Sequence, residues 1–270
     1  MNISVLILTH NEEINLDICL KYLDWSDDVV ILDSFSDDGT VEIANQYSAR
    51  IVQRQFDNFA NQRNYGLKNI AYKYDWLFML DADESISDNL KDEIIHALSN
   101  NDSEISLYYM RRKDFFWKKW IKYSSGYPTW FGRLMRIGDV YIERDINEQY
   151  KTHKKVGYLD HHLYHYPFRK GIDHWINKHN MYSTLESNIH VKNKLSLANF
   201  FSDNPTVRRN EIKNLIYRMP ARPFIYFCLI YFFRRGFLDG IPGFHFCVLK
   251  SIYEYFICCK TKNNKIMKEI

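Results

Sequence analysis

The chain has 270 residues, 46% of them hydrophobic and 16% aromatic, with a formal net charge of +3. That is enough apolar material for a full core, in one large domain or a domain with an appendage. Near-neutral charge without a basic tail speaks against a nucleic-acid partner, and five cysteines without C-x-x-C spacing speak against a disulfide frame or zinc site in what reads as a cytoplasmic protein.

"MNISVLILTHNEE" lacks a basic leader and reads as a first strand, not a signal peptide. A helix follows near residues 12 to 23, with Ile14, Ile18 and Tyr22 at i, i+4 spacing. "DVVILD" predicts a second buried strand, "SFSDDGT" a turn cluster, "VEIANQYSA" a helix and "RIVQR" a short third strand. "NFANQRNYGLKNIAYKY" reads as the next helix and "WLFML" as the fourth strand. This alternation predicts βαβ units in a mainly parallel sheet with helices on its faces. Ligands of such sheets bind beyond the carboxyl ends of the strands, so Thr9 to Glu12, Asp33 to Thr40 and Asp81 to Glu84 are expected to face one crevice.

The stretch "WLFMLDADES" delivers two carboxylates at the end of a run that wants burial. If the extended geometry persists to Asp83, Asp81 and Asp83 point the same way and repel unless something positive lies between them. A hard divalent cation would resolve that repulsion. The alternative is that Asp83 or Ser87 only caps the helix begun by "DNLKDEIIHAL".

Beyond residue 105 come aromatic and basic segments that read as strands, loops and one helix completing the domain and building an acceptor side. From about 205 the character changes: Arg208, Arg209, Lys213, Arg218 and Arg222 face a single acid, Glu211, ahead of "FIYFCLIYFF", Arg234 and Arg235. The expected division is therefore 1–200 and 201–270. Ten apolar residues cannot span a bilayer, which takes about 20. Such a segment either lies in an anionic membrane interface or packs as core helices or against a second subunit, giving a homo-oligomer.

The segments "VLILTHNEE", "VVILDSFSDDGT", "FANQRNYGL", "FMLDADE", "PTWFGRLMR", "DINEQY", "LYHYPFRKGIDHWINKHNMYS" and "GFLDGIPGF" together resemble the inverting family 2 glycosyltransferases. The similarity is closest to the branch of β-1,4-glucosyltransferases that act on lipopolysaccharide inner core, and it covers most of the chain. It implies an α/β GT-A fold, Rossmann-like, with a C-terminal helical, aromatic-rich appendage. It also implies transfer of a sugar, glucose from UDP-glucose, to a bacterial lipopolysaccharide or lipooligosaccharide core by an enzyme at the inner face of the inner membrane. Mn²⁺ or Mg²⁺ is the implied cofactor, held by Asp83 and His165, with His161 and His162 as competing histidines and Asp81 on ribose or water. Thr9, Asn11, Glu12, Asp33, Arg63 and Asn64 match nucleotide-sugar-binding positions. Glu148 matches the catalytic base, although Asn147 stands where relatives carry histidine, and Asp145 and Glu143 are rivals. Arg133 and Arg136 either meet a phosphorylated acceptor or snorkel at the surface. Two other readings stay open. One is a haloacid-dehalogenase-type phosphohydrolase, which needs its Asp-x-Asp on the first strand, and the other is a non-catalytic nucleotide-sugar-binding scaffold.

Overall fold

The computed structural model describes residues 2–99, 104–143, 149–192, 215, 219 and 221–269. The chain divides into two compact units, one of residues 1–115 and 127–170, the other of 116–126 and 171–270.

The first unit is a mixed sheet with helices on its faces. It contains β1 (Ser4–Thr9), α1 (Glu13–Lys21), β2 (Val29–Asp33), α2 (Thr40–Gln46), β3 (Arg50–Gln53), α3 (Phe59–Asn69), β4 (Trp76–Asp81), β5 (Glu84–Ile86) and α4 (Asp88–Ser99). β6 (Ile105–Phe116) follows; after β7 (Lys119–Trp120) of the second unit come β8 (Thr129–Arg136), β9 (Val140–Glu143), β10 (Gln149–Thr152) and β11 (Lys155–His165). The main sheet runs in the order β3-β2-β1-β4-β8-β6-β11-β5, and β9 pairs with β10 in a separate ribbon. Strands β3, β2, β1 and β4 are mutually parallel, as are β6 and β11, whereas β8 runs against β4 and β6. Because β2 and β4 flank β1 on opposite sides, the chain reverses its winding direction there, the topological point at which such sheets bind ligands.

Continuous apolar runs become central strands because both faces of the sheet are covered. Val5, Ile7, Ile31, Phe78 and Leu80 pack under α1, α2 and α4. Their neighbours Leu6, Val30, Leu32, Leu77 and Met79 face α3. α3 approaches closely at Gly66, where a Cβ would stand 2.4 Å from Leu6 Cδ2. Its N-cap is Asn58, whose side chain accepts from Asn61 N at 2.8 Å.

Two local expectations change. The buried face of α1 is Asn15, Leu16, Cys19 and Leu20, while Ile14 and Tyr22 are exposed. α3 stops at Asn69, short of the expected Tyr74, because Ile70 turns extended.

The second unit is helical: α5 (Gly171–Lys192), α6 (Arg222–Cys228), a π-helical turn (Leu229–Phe233), a 3₁₀ turn (Gly236–Asp239) and α7 (Gly240–Glu269). Lys260 Nζ on α7 donates to Asn180 O and Oδ1, both at 2.6 Å, tying α7 to α5. Arg222 of α6 forms a buried ion pair with Glu254 of α7. Among the described residues no helix is long and apolar enough to cross a membrane.

Candidate active site

β4 ends at Asp81, and residues 82–83 form a turn before β5, so the extended geometry does not carry through to Asp83. The two carboxylates consequently meet different partners. Asp81 Oδ1 accepts from Arg63 Nη2 at 2.5 Å, and its Oδ2 accepts from Arg133 Nη2 at 2.5 Å. Two guanidiniums flank Asp81 and balance its charge. Asp83 Oδ2 instead lies 3.3 Å from His165 Nε2. Helix capping falls to Ser87, whose Oγ accepts from Leu90 N at 3.2 Å.

These contacts belong to one chain of alternating charge. Arg133 Nη2 also donates to Glu84 Oε1 at 2.8 Å, and Arg112 Nη1 reaches the same oxygen at 3.4 Å. Arg112 Nε lies 3.1 Å from Asp114 Oδ1, which is 2.6 Å from His165 Nδ1. Opposite charges in a low-dielectric site raise each other's ionised fraction, and the shifts follow. Burial and Arg112 push the His165 imidazole down, but Asp83 and Asp114 outweigh them and lift it to about 9. Burial raises the Asp114 carboxyl, yet Arg112 and His165 bring it below the ordinary carboxylate range. Burial works against the Arg133 charge as well, and Asp81 and Glu84 more than restore it.

The first two strand ends are locked to each other. Asp33 is fully buried at the end of β2 and accepts from Thr9 Oγ1 at 2.8 Å, Ser36 Oγ at 2.5 Å and Ser36 N at 2.9 Å. Asn11 sits at φ 55°, its N donating to Ser36 Oγ at 2.9 Å and its Oδ1 accepting from Asp37 N at 3.0 Å. Glu12 N donates to Thr40 Oγ1 at 2.7 Å, and its carboxylate accepts from Asn15 Nδ2 at 2.7 Å and Lys170 Nζ at 2.9 Å. Burial lifts the Glu12 carboxyl above its usual range against the pull of Asn15 and Lys170, and the charge of Asp83 adds to the lift. Glu12 and Asp83 thus share one field.

On α3, Arg63 is buried against Asp81, not solvated, and the Asn64 amide exchanges hydrogen bonds with Ile142 of β9, donating to its O at 2.7 Å and accepting from its N at 2.9 Å. Arg133 neither snorkels nor faces outward: it lies buried beneath Asp81 and Glu84. Of the three histidines, only His165 is brought to Asp83. His161 Nδ1 pairs with Glu93 at 2.9 Å, and His162 Nε2 with the Tyr127 hydroxyl at 2.6 Å. Glu148 and Asp145 lie outside the described residues. Glu143 ends β9, exposed, in register with Gln149 of β10.

Arg112, Asp114 and Lys170 were not among the expected site residues, and Glu84 was expected only as part of the strand-end crevice. Glu84 is the last letter of "DADE", and period-two alternation sets Met110, Arg112, Asp114 and Phe116 on one face of β6, a pattern that placed two charges on an apolar face. No such signal marks Lys170.

Asp83 Oδ2 and His165 Nε2 are atoms of the kinds that could ligate a divalent ion once the imidazole gives up its proton, and Asp114 on Nδ1 would then orient the ring. Among the described residues no group of three or more His, Cys, Asp or Glu side chains is placed to hold a metal. Two protein donors nonetheless suit Mg²⁺ or Mn²⁺ in sites where substrate phosphates and water complete the shell.

A mainly parallel α/β sheet with its acids clustered at the strand ends beside the winding reversal defines a ligand-binding protein of the doubly wound kind. Residues 4–155 match the family described as Glycosyl transferase family 2, more than half of the chain, and the protein belongs to that family. It is a glycosyltransferase, and the fourth-strand position of its Asp-x-Asp departs from the first-strand position a haloacid-dehalogenase-type phosphohydrolase needs. The chain is 25% identical to an uncharacterized glycosyltransferase of Rickettsia conorii, over 98% of this chain and 91% of the relative. It is 24% identical to the lipopolysaccharide core biosynthesis glycosyltransferase LpsC of Rhizobium meliloti, over 98% and 94%. Among solved structures it is similar to residues 1–349 of Staphylococcus aureus TarS in complex with UDP-GlcNAc, with 15% identity and a TM-score of 0.45 over 98% of this chain and 92% of that one.

Proposed function

We propose that the protein transfers glucose from UDP-glucose, with inversion, to the core of a bacterial lipopolysaccharide or lipooligosaccharide. The observation that carries the reading is the separation of duties at the end of β4: Asp81 is held by two arginines, which leaves Asp83 and His165 as a matched donor pair in the crevice. Membership of the family supports sugar transfer, and the name of the Rhizobium relative supports a lipopolysaccharide core as acceptor.

On this reading Asn11 and Glu12, braced by Thr9 and Asp33, form the nucleotide side of the site, with Arg63, Asn64 and Asp81 beside it. Asp83 and His165 would hold Mn²⁺ or Mg²⁺, which when bound supplies charge neutralisation for the leaving diphosphate. Arg63 and Arg133 fix Asp81, and Arg133, through Glu84, fixes the turn that carries Asp83. Glu148, with Asp145 and Glu143 as rivals, takes the proton of the acceptor hydroxyl as the sugar carbon is attacked from the face opposite the diphosphate. The enzyme works peripherally at the inner face of the inner membrane, where a lipid-anchored acceptor is concentrated.

The test is release of UDP from UDP-glucose with Mn²⁺ and a soluble core fragment, coupled to detection of the lengthened glycan. Glu148→Gln is expected to slow transfer by roughly 10²–10⁴-fold with donor binding retained. No transfer by the wild-type enzyme to any core fragment overturns the substrate assignment. Collapse of donor affinity in the variant moves Glu148 to the nucleotide site.

A further inference from the structure

Among the described residues, the second unit carries a run of large apolar side chains that are exposed. Phe233 is 81% exposed, Ile241 70% and Phe224 69%, with Phe232, Phe237, Leu238 and Phe244 exposed among them. Three of these rings gather on Tyr231, which lies 5.1 to 6.2 Å, centroid to centroid, from Phe227, Phe232, Phe237 and Phe244. Phe244 leads to His245 and then to the exposed Trp117, whose ring is 5.0 Å from His245.

The frame beneath this face is closely built. Asp239 is buried and accepts from Tyr123 N at 3.0 Å, Ser124 N at 2.7 Å and Ser124 Oγ at 2.6 Å. At Gly236 a Cβ would stand 2.6 Å from Ile230 O and 3.1 Å from Cys247 Sγ, so no larger residue fits the turn. The exposed rings therefore project from a fixed base.

Charge around the face has one sign. Arg234 and Arg235 are exposed within it, and Lys119 Nζ lies 3.2 Å from where a Cβ of Gly240 would be, next to Ile241. The acids of residues 221–260 are Asp239 and Glu254, both buried, the latter against Arg222. Aromatic rings ringed by cations suit the boundary between headgroups and acyl chains of an anionic bilayer.

We propose that the face formed by Phe224, Phe232, Phe233, Phe237, Leu238 and Ile241 inserts into the interfacial layer of an anionic membrane, with Arg234, Arg235 and Lys119 on lipid phosphates. This deepens the peripheral placement given under the proposed function, on which it rests, by adding an apolar wedge to an electrostatic contact. The full chain is tested by flotation with vesicles of phosphatidylglycerol and phosphatidylethanolamine, at low salt and at about 0.5 M salt, where the Debye length falls to roughly 4 Å. The wild-type protein is expected to float at low salt and to keep part of its binding at high salt. Phe233→Ser with Ile241→Ser should lose more than about tenfold in vesicle affinity, since burial of even one such side chain is worth that much. Phe233→Trp should be quenched by brominated lipid. Wild-type levels of binding by the double serine variant, or an unquenched Trp at position 233, overturns the wedge. So does light scattering that shows a wild-type dimer broken by the serine substitutions without vesicle binding, which would make a second copy the occupant. UDP release with the soluble fragment should be unchanged in the serine variant. Failure of transfer with intact vesicle binding counts against the substrate assignment alone, and intact transfer without vesicle binding counts against the wedge alone.

Discussion

The two units treat their costly surfaces in opposite ways. In the first, charged groups that burial would penalise are compensated within the fold, along the alternating chain from Arg63 through Asp81, Arg133, Glu84, Arg112 and Asp114 to His165 and Asp83. In the second, apolar side chains that water penalises are left exposed on a rigid base. The difference separates two kinds of function. A compensated buried network fixes atoms in place for chemistry, whereas exposed apolar side chains suit contact with a partner.

The comparison breaks first at Arg133. Arg133→Met leaves Asp81 and Glu84 without their shared guanidinium in a buried site, and the expected loss is about 3–5 kcal/mol, read from urea unfolding. A loss below about 1 kcal/mol would mean that the network is not what holds this end of the sheet.

A smaller effect follows from His179, which stacks on Trp175 in the second unit with ring centroids 3.5 Å apart. Burial, with Lys250 and Lys178 nearby, holds its imidazole down at about 3, well under the 6.5 of an exposed histidine. The unfolded chain therefore takes up this proton first. Stability should be full above pH 6.5 and fall as pH drops towards 3, by at most about 1.4 kcal/mol per pH unit for this one group. Unfolding of wild type and His179→Asn across pH 7 to 5 checks the sign: the variant should lose less on acidification.

The smallest expected effect sharpens the contrast. Phe233→Ser should change unfolding stability by no more than about 0.5 kcal/mol, because an exposed ring has little packing to lose. A large loss would place Phe233 in a core.

Much of the first unit was legible in the sequence because its central strands are covered on both faces and therefore read as unbroken apolar runs. The runs at β1, β2 and β4 emerge within a residue or two of their expected positions. Helix faces were harder. α1 buries Asn15, a polar residue held by Glu12, so the Ile14, Ile18 and Tyr22 stripe did not mark the core side. The paired aspartates were visible, and the resemblance set His165 beside Asp83, but the two arginines on Asp81 were not legible. Arg133 and His165 come from β8 and β11, and Asp81 and Arg133 are 52 positions apart in sequence. No local pattern encodes which cation a strand end will meet, and that choice decides what Asp81 and Asp83 each do.

The division of labour between Asp81 and Asp83 is tested most directly by thermal unfolding of wild type, Asp83→Asn and Asp81→Asn with UDP, with and without Mn²⁺. A ligand that binds only the native state raises its apparent stability, so wild type should show an added rise when Mn²⁺ accompanies UDP. Asp83→Asn should unfold near the wild-type temperature and lose that added rise, while Asp81→Asn should unfold at a lower temperature because Arg63 and Arg133 lose their shared carboxylate. A Mn²⁺-dependent rise that survives in Asp83→Asn, or an Asp81→Asn protein as stable as wild type, would contradict the account.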